Sequence, residues 1–419
     1  MPLPGPILII SERSDRRLAG ALAAGGASSL VESSPAEGAA AVARVSPVAI
    51  LLAGPDPEPR LAAELTAAID ALPAPFVPVM MRVKAGAATG LDALPIDFDA
   101  PGPQIVARLA AMLRVRTLHG AVLKRLAAMQ KAGAGVPAIA DGDPLDDATV
   151  LVMGRGRHYP ALAATAGERT GVIGTLSPES AARHLNLRDV DGVIIGDGFG
   201  PSTLEVFLTA LAEDSRFGDL PVGVVPDLPA GVDRARLSGL EPVRGTPREI
   251  VSRLTPLVRV HAFAARLRRH QASLDARGLI DPETGLFSAQ GFDYGLPQMI
   301  ADCRRRGAAM SVARFELPGM LPGRLQVDAA RLVGRLIRRG DFAACDAGGA
   351  VTVVMADAAL HQCHVAARRI ASVIRSTLTC EHDGGAPLEP TVTIAALRQT
   401  DSPHSLLLRV SGLDRVAAE

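Results

Sequence analysis

The sequence predicts an α/β protein in which two doubly wound parallel-sheet domains stand in tandem before a third α/β domain of different pattern. Three observations carry this. Short apolar runs alternate with helical stretches through the first ~120 residues, as βαβ units require. The same series returns after Thr149, about 143 residues further on, as an internal repeat. Beyond Asp281 the order changes: an alternating β-branched segment, Val351-Thr352-Val353-Val354-Met355, follows a glycine-rich turn and precedes a helical stretch from His361 to Ile374.

In chain order, Ile7–Ile10 reads as a buried strand, Arg16–Ala24 as a helix, Val48–Leu52 as a strand, Leu61–Leu72 as a helix and Val77–Met81 as a strand. Thr149–Gly154, Asp191–Gly196 and Leu220–Val225 match these three strands in the second copy. Each copy ends in a long helix. Gln104–Lys131 carries Ile105, Leu109, Met112, Leu113, Leu123 and Leu126, and 132–147 then breaks it with Gly, Pro and Asp. Thr246–Ala276 has Pro247 at its start and sets Leu254, Leu257, Val258 and Leu267 on one face. Such helices either pair with a second copy of the chain, making a homodimer, or pack on their own domains. The expected domains are 1–132, 147–245 and 279–419, with a linker helix over 246–278.

The two repeats resemble receiver domains, which implies a flavodoxin-like doubly wound sheet. It also implies an acidic pocket after the first strand, a phosphorylatable Asp at the end of the third, and a Thr or Ser with a Lys nearby, together holding magnesium and a phosphoryl group. In this chain Ser11-Glu12 takes the acidic position, Ala53 stands where the Asp belongs, and Arg82-Val83 stands at the Thr position. In the second copy Gly154 follows the first strand and Gly196 takes the Asp position. The remaining phosphoacceptor candidates are Asp56, on a Pro-rich turn, and Asp197; the alternative is that each is a turn residue. Gly154-Arg155-Gly156 lacks both the GxGxxG spacing and a Lys-Ser/Thr pair, so it is not read as a phosphate loop.

Arg338-Arg339-Gly340-Asp341 and, after five residues, Ala347-Gly348-Gly349-Ala350-Val351 resemble the RxxD and GGDEF signatures of diguanylate cyclases. Asp281-Pro282-Glu283-Thr284-Gly285-Leu286 is similar to the DPLTGL turn that opens that domain. The resemblance covers roughly 279–419 and implies a mostly antiparallel central sheet. Family members make cyclic di-GMP from two GTP molecules, with carboxylates holding two hard cations. Gly349 and Ala350 stand at the acidic hairpin positions, and Arg314 stands where the second metal carboxylate belongs, with Glu316 nearby. Leu317 to Gly323 replaces the segment that reads the base. Cyclase chemistry is therefore lost at three places, and neither catalysis nor a metal is expected.

The RxxD implies different chemistry. In the family it forms a product site, where an arginine fork donates to guanine O6 and N7 and the aspartate accepts from guanine N1 and N2. A further arginine on the helix after the hairpin completes it. By that resemblance the cyclic di-GMP ligands are Arg338, Asp341 and Arg369, with Arg368 beside them; the alternative is a set of surface charges at a helix end.

Composition sets outer bounds. The 419 residues suit two to four domains, and 48% apolar content is ample for their cores. Trp is absent and Tyr numbers two, which argues against stacking platforms for single-stranded nucleic acid. Lys plus Arg equals Asp plus Glu at 44 each, so no net field favours DNA or an anionic membrane. No charge-free apolar run reaches membrane length and no secretory signal is seen, so a cytoplasmic protein is expected. Cys303, Cys345, Cys363 and Cys380 show no CxxC or zinc spacing and read as reduced thiols.

Two receiver-like domains before a degenerate GGDEF domain resemble PopA-type effectors, relatives of the PleD-type cyclases. That resemblance implies a non-catalytic cyclic di-GMP effector or adaptor, a place at a cell pole, and a role in delivering a cell-cycle response regulator to the ClpXP protease. Two alternatives stay open: a cyclase with an unusual metal site at Glu316 and Asp346, and a ligand-free scaffold.

Overall fold

Ile7, Leu8, Ile9 and Ile10 are buried on both faces in an inner strand of the first sheet, as parallel strands covered by helices on each side must be. In the computed structural model the described residues are 6–11, 16–24, 26–53, 59–72, 75–83, 93–98, 100–131, 138–232, 236–318, 323–380 and 386–412. The chain divides into two units. One comprises Met1–Ala127, Ala140–Leu185 and Val190–Leu267; the other comprises Ala128–Ile139, Asn186–Asp189 and Arg268–Glu419.

The first unit holds both repeats except the C-terminal ends of three of their helices. The first repeat runs β1 (Pro6–Ile10), α1 (Arg16–Ala24), β2 (Ser28–Glu32), α2 (Pro35–Val45), β3 (Ala49–Leu52), α3 (Pro59–Asp70), β4 (Val79–Val83), β5 (Leu94–Asp97) and α4 (Gly102–Lys131). The second runs β6 (Thr149–Met153), α5 (Tyr159–Gly167), β7 (Gly171–Thr175), α6 (Pro178–Leu187), β8 (Gly192–Ile195), α7 (Pro201–Glu213), β9 (Val222–Val224), β10 (Leu240–Pro242) and α8 (Pro247–Asp275). Pro6 and Thr149, Ser28 and Gly171, Ala49 and Gly192, and Val79 and Val222 open matching strands, each pair 143 residues apart.

The strand orders are β2-β1-β3-β4-β5 and β10-β9-β8-β6-β7, and every pairing is parallel. Counted within each repeat both are 2-1-3-4-5, the flavodoxin-like order. The apolar pattern did not reveal β2 or α2. β2 is an edge strand with its Ser28, Ser29 and Val31 exposed, so it has no apolar run to detect. α2 is set by its cap: Ser34 accepts the Glu37 N–H at 3.2 Å, and Pro35 occupies the first turn.

One apolar core runs through both repeats, joining Ile9, Leu51, Leu109 and Leu113 to Val150, Val152, Leu254 and Val258. Its edge is closed by buried charges. Arg253 on α8 donates to Glu241 at 2.8 Å and to Asp97, at the end of β5, at 2.5 Å. Arg108 on α4 makes the reciprocal ion pair with Glu241, next to β10's first residue, and donates to the Pro95 carbonyl at 2.7 Å.

The second unit contains α9 (Ala289–Arg306), β11 (Met310–Glu316), α10 (Gly323–Leu336), β12 (Phe342–Cys345), β13 (Val351–Ala356), α11 (Leu360–Thr377), the short pair β14 (Thr379–Cys380) and β15 (Ala386–Pro387), β16 (Thr391–Ala396) and α12 (Pro403–Val410). Its main sheet has the order β12-β13-β11-β16, and all three pairings are antiparallel. The period of two sends Ala313, Phe315 and Val353 into a core with Val333 and Ile370, while Val312 and Val354 join Phe292, Leu296 and Leu406 on the other face.

The Asp281–Leu286 turn has a clear structural task. The Asp281 carboxylate accepts the Thr284 N–H at 2.8 Å and its hydroxyl at 2.5 Å, and Gly285 takes a left-handed φ of 73°. Phe287 then donates to the Ala343 carbonyl at 2.8 Å, seating the turn on β12. Among the described residues no helix is long and apolar enough to cross a membrane.

Candidate functional site

α10 ends at Leu336, and the chain then turns tightly through Arg338-Arg339-Gly340-Asp341 into β12. The Asp341 N–H donates to the Arg338 carbonyl at 3.0 Å, closing the turn. One carboxylate oxygen of Asp341 accepts the Arg338 N–H at 3.3 Å. The other accepts the Ala356 N–H at 3.2 Å, at the end of β13. Burial pushes the Asp341 pKa up, against the opposing pull of these two N–H groups and the Arg338 charge. Each oxygen keeps a lone pair for an outside donor.

Arg369, on α11, donates to the Leu336 carbonyl at 3.2 Å. That bond caps an orphan carbonyl at the end of α10 and fixes the guanidinium beside the start of the turn. The structure therefore brings Arg338, Asp341 and Arg369 to one exposed rim. Among the described residues the Arg338, Arg339 and Arg368 side chains have no hydrogen-bond or ion-pair partner, and all three are exposed. This rim can offer unpaired planar donors and a carboxylate acceptor to a guanine edge or a phosphate.

The hairpin between β12 and β13 is organised by Asp346. Its Oδ1 accepts the N–H groups of Gly348 at 2.9 Å and Ala350 at 3.0 Å. Its Oδ2 pairs with Arg314 at 2.6 Å, and Arg314 also donates to Glu316 at 3.0 Å. A guanidinium thus sits between the two carboxylates considered for an unusual metal site. Gly349 has φ 82°, and a Cβ there would lie 2.7 Å from the Gln326 side chain, so this position suits glycine. Beside the hairpin a cavity of about 290 Å³ is lined by Phe292, Asp293, Cys345, His404 and Leu407. Burial, then the neighbouring carboxylates, push the Cys345 thiol up to about 11, so it stays protonated and unreactive. Among the described residues no cluster of His, Cys, Asp or Glu could hold a metal ion.

No family model matches this chain, and no curated protein matches it. Solved GGDEF-domain structures are similar to it over about a third of its length. The coiled coil and GGDEF domain of DgcB from Caulobacter crescentus, in complex with c-di-GMP, is 17% identical and matches 36% of this chain and 87% of that one, with a TM-score of 0.31. Diguanylate cyclase SiaD from Pseudomonas aeruginosa, in complex with its activator SiaC, is 18% identical over 36% of this chain and 63% of its own, with a TM-score of 0.31. The FimX GGDEF domain from Pseudomonas aeruginosa is 17% identical over 33% and 93%, with a TM-score of 0.30. What those proteins bind is a property of theirs.

In doubly wound sheets ligands bind outside the carboxyl ends of the strands, where the order reverses. In the second repeat that crevice lies between β6 and β8, and the chain bridges it. The Arg155 and Gly156 N–H groups both donate to the Asp197 carbonyl, at 2.9 and 3.0 Å, while the Asp197 carboxylate meets His158 at 2.8 Å. Asp197 is thus engaged in a loop contact. Asp56 and Glu12 lie outside the described residues, as does 319–322 of the segment that replaces the base-reading residues.

Sequence reasoning missed Arg314 as the partner of Asp346. Two apart on β11, Arg314 and Glu316 share a face, but only the pairing of β11 with β13, which sets Arg314 opposite Thr352, carries that face to the hairpin.

Proposed function

We propose that this chain is a non-catalytic effector that binds cyclic di-GMP through Arg338, Asp341 and Arg369, with Arg368 at the edge of the site. The observation that carries the reading is the Arg338–Asp341 turn. Its aspartate is held by two backbone N–H groups, its arginine side chain has no hydrogen-bond or ion-pair partner among the described residues, and Arg369 is fixed by the carbonyl of Leu336, two residues before Arg338. Guanine would lie against the Arg338 fork and the outer lone pairs of Asp341, and Arg369 would meet a phosphate.

Absence of cyclase activity is part of the proposal. It is supported by the glycine and alanine at the acidic hairpin positions and by the Arg314 guanidinium between Glu316 and Asp346. The PopA resemblance extends the proposal to a receiver-based, cytoplasmic homodimer at a cell pole that presents a cell-cycle response regulator to a ClpXP-type protease. Calorimetry of the full chain with cyclic di-GMP tests the core of it. Saturable micromolar or tighter binding that Arg338→Ala weakens roughly 10- to 100-fold is expected; absence of binding, or binding indifferent to that change, rejects it.

A further inference from the structure

The first unit contains a cavity of about 510 Å³ between the second sheet and α8. Its floor is apolar, formed by Val150 and Ile194, with Leu254 and Val258 as a wall. Its rim is cationic, with the guanidiniums of Arg169, Arg248 and Arg259 against the carboxylate of Glu168. Pro256 sits inside α8 at this cavity. Having no N–H, it withholds the helical bond from the Ser252 carbonyl, another lining residue.

Two of the three guanidiniums already hold an anion. Asp143 accepts from Arg259 at 3.0 and 3.1 Å and from Arg169 at 3.1 Å. Its carboxyl is held below the ordinary range: burial works against this, and the Leu145 N–H and the Arg259 contact outweigh it. Arg248 is exposed and, among the described residues, has no side-chain partner.

The internal repeat supplies a control. Arg108 and Arg253 make the reciprocal contacts to Glu241 and Asp97, which places α4 and α8 in register. In that register Pro103, Ala107 and Ala110 stand where the second copy has Arg248, Ser252 and Thr255, and Ala111 stands where it has Pro256. With strands in step, Leu22, Gly26 and Ala27 likewise match Thr165, Arg169 and Thr170. Arg259 alone of the cationic lining has a counterpart, Arg114; Arg169, Arg248, Ser252 and Thr255 belong to the second copy, so they are not a requirement of the shared fold.

We infer that this cavity is a binding site for a small amphiphilic organic anion, its carboxylate, sulfonate or phosphomonoester on Arg248 and Arg169 and its apolar body on Val150 and Ile194. The volume lies within the ~300–1,000 Å³ usual for small-molecule sites, and an apolar floor beside convergent charged groups suits an amphiphile. Arg248 supplies the unpaired charge, while Arg169 shares its guanidinium between Asp143 and the ligand.

The test is a fluorescence titration of the full-length chain with 8-anilinonaphthalene-1-sulfonate, an anion with an aromatic body. Saturable binding is expected, weakened about tenfold in Arg248→Glu, the loss of one charge-assisted contact, and blocked in Ser252→Trp, which fills the mouth. Octanoate should compete and octanol should not. Arg338→Ala should bind the probe normally, which separates this site from the cyclic di-GMP reading. Absence of saturable binding to the folded chain overturns the inference. So does affinity unchanged in both cavity variants when their cooperative melts match the parent.

Discussion

Arg253 and Asp97 belong to different repeats, yet their charged groups meet at 2.5 Å, with the Arg253 side chain wholly buried. The same guanidinium holds Glu241, which is 3% exposed and also pairs with Arg108. Removing Arg253 leaves Glu241 with Arg108 alone, takes a partner from Asp97 and empties the buried space its side chain fills. Arg253→Ala should therefore cost ~3–5 kcal/mol, the usual penalty for breaking a buried pair, seen as a lower urea midpoint with both repeats unfolding together. Independent melting of the repeats with little loss would contradict this coupling.

At the ligand rim, stability and binding should separate. Among the described residues the Arg338 side chain makes no hydrogen bond or ion pair, and its charge acts on Asp341 only through space, so Arg338→Ala should change the unfolding midpoint little. Its fork to guanine is worth ~1–3 kcal/mol, so affinity for cyclic di-GMP should fall roughly 10- to 100-fold. Arg369→Ala should lose both affinity and a little stability, because it also caps the Leu336 carbonyl.

Asp341 gives that binding a pH dependence. Its pKa is raised above the ordinary 3.8 by burial, and only the ionised form accepts two guanine N–H groups. Affinity should decline on acidification, beginning at a higher pH than an ordinary aspartate would cause. Native protein holds this proton more tightly than unfolded chain, so the group's contribution to stability falls as pH rises through the window between the two pKa values. Titrations of the parent and of Asp341→Asn should differ in this slope, and parallel curves would refute the assignment.

His119 on α4 works in the opposite sense. Its Nδ1 accepts the Phe76 N–H at 3.2 Å, which requires the neutral ring, and burial followed by the charge of Arg116 lowers its pKa below 6.5. The contribution is complete above the unfolded value and is lost as pH falls from there through the folded one. Melting temperatures recorded on either side of pH 6.5 should drop on the acid side, and His119→Gln should flatten that drop.

Restoring acids at the hairpin should not restore a cyclase. Gly349→Asp meets both a left-handed φ and the Gln326 side chain, and Arg314 still occupies the space between Glu316 and Asp346. Incubation of the parent or of Gly349→Asp/Ala350→Glu with GTP and magnesium should yield no cyclic di-GMP. Product from either protein would overturn the non-catalytic reading.

Much of this architecture is local information. Apolar runs of strand length, their return at a fixed offset and the β-branched alternation of Val351–Met355 depend on neighbours a few residues apart, so the residues alone determined the α/β class and the repeat. They also exposed the glycine and alanine at the hairpin and the intact Arg338–Asp341 spacing. Only the tertiary structure decided what the charges do. Arg253 and Asp97 are 156 positions apart, and Arg314 reaches Asp346 only through the register of β11 on β13. With 44 basic and 44 acidic side chains in the chain, composition leaves their pairing open, because a long flexible guanidinium reaches any carboxylate the fold brings near.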